Sequence, residues 1–180
     1  MPLALHVHPL DARALVEHAV VLDLPLWVPW PLPSGWLVTG TGHVGQAHRT
    51  RGTVFTCSGP NPFGGSADMV VVAEEPGTGL GSRMAGLDRL DPGPGFDSGA
   101  PHAKASVGGH PTSLWCVPTA ASDRAVYAGE AAGRWLWLVI HPQIAGALMM
   151  EPIVLVDVRD LGREVELFAY GERSRWLEVS

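Results

Sequence analysis

Lysine is nearly absent from this chain: Lys104 is the only one among 12 basic residues. Basic side chains are outnumbered by 18 Asp and Glu, for a net charge of −6. A protein that neutralises a phosphate backbone or an anionic lipid surface needs clustered positive charge, so neither nucleic acid nor membrane is an expected partner. No stretch approaches the length of an apolar membrane span. Cysteine is scarce as well. Cys57 and Cys116 are the only two, and their spacing makes neither a zinc knuckle nor a disulfide framework. They read as free thiols of a reducing compartment, with no metal implied. The N-terminus MPLALHVHPLDAR lacks the basic and apolar regions of a signal peptide, so a cytoplasmic location is expected. Recognisable catalytic signatures are missing too: no G-x-S-x-G elbow, no P-loop, no H-E-x-x-H and no EF-hand loop.

Turn formers are abundant instead, with 22 Gly and 16 Pro. They predict short strands joined by tight turns and few long helices. The chain length suits one domain with a real core. Its organising stretch is Leu26–Gly40, LWVPWPLPSGWLVTG, which holds Trp27, Trp30 and Trp36 among prolines. Proline fixes φ and cannot donate to a ladder, so Pro25–Pro33 should be extended and irregular. Pro33-Ser34-Gly35 should then turn the chain into a strand.

Taken in order, Asp11–Val20 has helical spacing with Asp11 as N-cap. Trp36–Val44 and Thr53–Ser58 read as strands around a polar tip, and Gly59–Gly65 as a loop. Ala67–Ala73 is the clearest interior strand. Asp88–Pro101, with three Pro, three Gly and three Asp, is a long surface loop. Hairpins are predicted at Gly108-Gly109 and at Glu130–Gly133. Arg134–His141 is apolar on both faces and should lie inside a sheet, with its tryptophans as core anchors. Residues 153–161 fit a helix started by Pro152 or, through their β-branched side chains, a strand. Glu164–Tyr170 alternates like a last strand. Together these predict an α+β fold: a twisted, largely antiparallel sheet built from hairpins, with one or two packed helices. Residues 1–13 are expected to be a poorly ordered segment ahead of a single domain over 14–180.

Candidate site residues are few. Gly77–Leu87 is a glycine-rich turn entering a short helix. Backbone amides there suit an anion, with Gly79 and Gly81 giving close approach and Arg83 a charge. The spacing is neither G-x-G-x-x-G nor a P-loop, so an ordinary connection is the competing reading. His102 and Lys104 close the long loop and are candidate ligand-facing groups. His6-Val7-His8 places two imidazoles on one strand face, but no third ligand stands nearby in sequence. Glu74-Glu75 at a strand end reads as solvated.

Several blocks also carry a resemblance: VPWPLPSGW (Val28–Trp36), CSGPNPFGG (Cys57–Gly65), VVVAEEPGTGLGSRMAG (Val70–Gly86), PHAK (Pro101–Lys104) and DRAVYAGEAAGRWLW (Asp123–Trp137). In this order they resemble an uncharacterised actinobacterial family of unknown function. Members of that family often begin with a CxxC zinc ribbon. His6–Leu10 resembles the tail of such a ribbon without its cysteines, so zinc is not implied here. Some members carry a phosphotransacetylase label. The expected function is a non-catalytic ligand- or protein-binding domain, without a cofactor. Its expected partner is another protein, a second copy of the chain, or a small anionic ligand. The rival is a transferase of phosphate or acyl-phosphate compounds.

Overall fold

A computed structural model describes residues 2–46 and 48–178. Ten strands among them form one curled sheet. In chain order these are β1 (Leu5–Val7), β2 (Trp27–Pro29), β3 (Leu37–Gln46), β4 (Arg49–Pro60) and β5 (Ser66–Glu74). The second half supplies β6 (Ala103–Val107), β7 (His110–Cys116), β8 (Ala125–Ala131), β9 (Arg134–His141) and β10 (Ile153–Asp157). Two α-helices, α1 (Ala12–Val21) and α2 (Leu80–Ala85), complete the α+β architecture. The sheet order is β1-β3-β4-β5-β9-β8-β7-β6-β10-β2. Every pairing is antiparallel except β6 with β10.

The curl is made at β7. Its first part pairs with β6, while its end, at Trp115 and Cys116, pairs with β8. β10 and β2 then fold back, so that β2 lies over β4 and β5. The period-2 alternation of the strands sorts side chains to two faces. Phe55, Met69, Val71, Leu136, Leu138 and Ile140 fill the inner core, which α1 and β2 close. Val54, Val70, Val72, Trp137 and Val139 point outward and are covered by α2 and the C-terminal segment. β5 and β9 are therefore apolar on both faces, as their continuous runs predict.

Local signals held where the chemistry was local. Asp11 accepts a hydrogen bond from the Ala14 amide at 2.8 Å and caps α1. The hairpins at Gly108-Gly109 and Ala132-Gly133 are in place, and those positions take positive φ. Residues 88–101 form turns and bends without a strand or helix.

The N-terminal segment supplies β1, which pairs with β3 through His6↔His43, and also the cap of α1. Of the two readings open for residues 153–161, residues 153–157 take the strand, because β6 offers them a parallel edge and Leu155 is fully buried. One expectation is corrected. Residues 162–167 form a 3-10 turn rather than a last strand. Only Tyr170 bridges to Val38, and β3 takes β1 as its edge partner instead.

Candidate functional site

The glycine-rich turn binds a carboxylate, and that carboxylate is the protein's own. Glu74 ends β5, six residues before α2 begins. Its Oε2 accepts the amides of Leu80 and Gly81 at 2.7 and 3.1 Å, and its Oε1 accepts Trp137 Nε1–H at 2.8 Å. Glu74 is fully buried, contrary to the solvated reading. Burial raises its pKa above the usual carboxylate range, and its three donors act in the opposite direction. Gly81 is required by the same contact. A Cβ there would stand 2.2 Å from the Trp137 ring.

The other predicted site residues do not converge with this turn. Arg83 is exposed on α2, and its Nη1 donates to the Leu3 carbonyl at 3.2 Å. Lys104 is exposed on β6, on the far side of β9, β8 and β7 from β5. His102 is exposed beside it, and its Nδ1 accepts the Cys116 amide at 3.0 Å. His102 and Lys104 thus close the edge of the β6–β7 hairpin and share no cavity with Arg83.

Arg83 instead meets residues far from it in sequence. A cavity of about 280 Å³ on the outer face of β5 and β9 is lined by Arg83 and Met84 of α2, Arg124, His141 and Trp176. Leu3 and Leu5 close it from the N-terminal side, and Glu178 lies at the C-terminal side. His141 is at the end of β9, directly opposite Asp68 of β5. Its ring stacks on Trp176 with centroids 3.6 Å apart. Trp176 Nε1–H donates to Asp68 Oδ2 at 3.1 Å, and the Ser58 hydroxyl donates to Asp68 Oδ1. Arg124 Nη1 donates to the Met84 carbonyl at 2.7 Å, and its Nε pairs with Asp123. Its guanidinium also lies over the Trp176 ring.

His141 is only 4 % exposed, yet neither ring nitrogen has a hydrogen-bond partner. Desolvation and then the Arg124 charge lower its pKa to about 4, so the ring is neutral at pH 7. A neutral imidazole carries one N–H donor and one lone pair. The cavity is therefore lined by a neutral imidazole whose nitrogens are themselves buried, two guanidinium groups and one carboxylate.

Two further concave regions flank the inner core. The Trp/Pro stretch walls an apolar groove of about 450 Å³ with Trp30, Leu32, Trp36, Met69 and Leu148. The groove has few polar groups to orient a ligand. The other region holds His6, His8, His18 and His43 in an open hollow of about 490 Å³.

The described residues form an α+β fold on one large, mostly antiparallel sheet, with a polar cavity between the sheet and the segments at either end of the chain. The chain belongs to the family of unknown function DUF6758, which matches residues 1–177. No curated protein and no solved structure matches it. No helix among the described residues is long and apolar enough to cross a membrane.

Proposed function

We propose that the protein is a non-catalytic binding domain for a small anionic ligand, taken up in the cavity of Arg83, Arg124 and His141. The observation that carries this reading is His141. A buried polar group without a partner is uncommon in folded proteins and asks for an explanation. Here the unpaired ring belongs to a cavity that Arg83 and Arg124 also line. Full satisfaction requires a ligand with both an acceptor oxygen and an O–H. Hydrogen phosphate, a phosphate monoester and a hydroxy acid meet that requirement. The guanidinium groups supply the charge that such a ligand needs. Trp176 supplies a flat wall that also holds His141 in place.

Isothermal titration with inorganic phosphate and with a small hydroxy acid tests the reading. Saturable binding is expected, weakened at least about tenfold in Arg83→Gln and in His141→Phe. Binding that survives both substitutions overturns it. The second reading, a transferase acting on phosphate or acyl-phosphate compounds, uses the same cavity. It is favoured by Arg83, which reaches the cavity from the glycine-rich turn. Release of phosphate from acetyl phosphate, abolished by His141→Phe, would replace the binding reading with that one.

A further inference from the structure

Four of the chain's 8 histidines meet at one place, and they come from three elements. Strand register brings three of them together. His6 and His43 are directly opposite in the β1–β3 pair, and His8 follows two residues on, so all three share the inner face. α1 crosses that face and adds His18. His8 Nε2 and His43 Nδ1 are 2.7 Å apart. The His8 ring stacks on His18 at 4.2 Å, and His6 stacks on His43 at 5.0 Å.

The hydrogen bonds set the tautomers for ligation. His18 Nδ1 lies 2.7 Å from the Ala14 carbonyl. A carbonyl only accepts, so Nδ1 carries the proton and Nε2 keeps its lone pair. This is the usual second contact of a metal-bound histidine. His8 Nδ1 sits 3.2 Å from the Thr41 hydroxyl, which can donate or accept, and its Nε2 faces His43. No Asp, Glu, Lys or Arg lines the hollow.

We propose that this cluster is a binding site for one divalent transition-metal ion of the zinc, nickel or copper type, held by His8 Nε2, His43 Nδ1 and His18 Nε2, with His6 as the fourth imidazole. An all-imidazole set selects these ions over magnesium or calcium, which prefer oxygen. Among the described residues no group of three His, Cys, Asp or Glu side chains is arranged to hold a metal ion as it stands, so binding requires the rings to move. His8 Nε2 and His43 Nδ1 are closer than two ligands of one ion. Two nitrogens on one tetrahedral ion stand about 3.3 Å apart, so this pair parts slightly as the ion displaces the proton between them. The ring stacks open by side-chain rotation, while the strand register already holds the backbone. That proton moves through solvent to the other nitrogen of the same ring, so each imidazole binds in its neutral form with no net proton release and no change of oxidation state.

Cobalt(II) is a direct probe, added to untagged, chelator-treated full-length protein. Expected is one equivalent bound, with the intense visible absorption of a tetrahedral nitrogen site, and displacement by one zinc ion in native mass spectra. His43→Ala and His18→Ala should each weaken binding at least about tenfold, while His102→Ala and His110→Ala should not. If these half-buried variants fail to fold, the exposed His6→Ala still tests the site through a weakened or shifted absorption. No stoichiometric cobalt or zinc, or binding unchanged by loss of His6, His18 and His43, overturns the proposal.

Discussion

At the scale of single residues, buried polar groups mark what is unusual in this protein. Glu74 and His141 are both buried, one satisfied by three donors and the other by none. The His141 contrast has a measurable consequence. Its pKa falls from 6.5 in the unfolded chain to about 4 in the folded one, through burial first and then the Arg124 charge. Arg175 acts in the same direction, while Asp123 and Asp68 oppose it. The unfolded chain therefore takes up a proton that the folded chain refuses. The stability linked to His141 is complete above pH 6.5 and is lost as the pH falls towards 4, by up to about 3 kcal/mol. Denaturant unfolding from pH 7 to 4 should show a steeper loss in the wild type than in His141→Phe, which keeps the stack on Trp176 and cannot titrate. Equal slopes would mean that the ring is already solvated.

At the scale of elements, β1 is the piece on which both hollows depend. It carries His6 and His8 on its inner side and presents Leu5 to the Arg83 cavity on its outer side. Its attachment rests on close approach to β3. A Cβ on Gly42 would stand 2.8 Å from the His6 carbonyl oxygen and 3.2 Å from the Leu5 side chain. Backbone cannot yield as a flexible side chain does, so Gly42→Ala should lift β1 from the sheet edge while β4, β5 and β9 stay paired. Hydrogen exchange provides the readout. Amides of β1 should lose protection in Gly42→Ala, with global stability lowered by about 1–3 kcal/mol. Unchanged β1 protection would show that the edge is set by something other than this contact.

At the scale of the whole molecule, one sheet with a core on each face should unfold as a unit. The two thiols report on this. Cys116 is exposed and Cys57 is 1 % exposed in the inner core. Burial raises the Cys57 pKa, which makes that thiol inert while the chain is folded. A thiol reagent at neutral pH should modify one cysteine quickly and the second only at the global unfolding rate. Rapid modification of both would mean that the β2–β10 flap opens independently of the sheet.

The sequence by itself determined the parts governed by neighbours along the chain. Asp11 caps α1, paired glycines turn the β6–β7 hairpin, and unbroken apolar runs put β5 and β9 inside. Tertiary structure decided what depends on pairing at a distance. Propensity left residues 153–161 balanced, and the free edge of β6 selected the strand. His6 and His8 lacked a third imidazole until strand register and helix packing delivered His43 and His18, 35 residues and 10 residues beyond His8. The glycine-rich turn was legible as an anion cradle, but not the anion, because Glu74 lies outside the motif. Arg83 was identified from its own segment. Its neighbours are Arg124, just before β8, and His141, at the end of β9, and only the packing of α2 over the sheet brings them to one cavity.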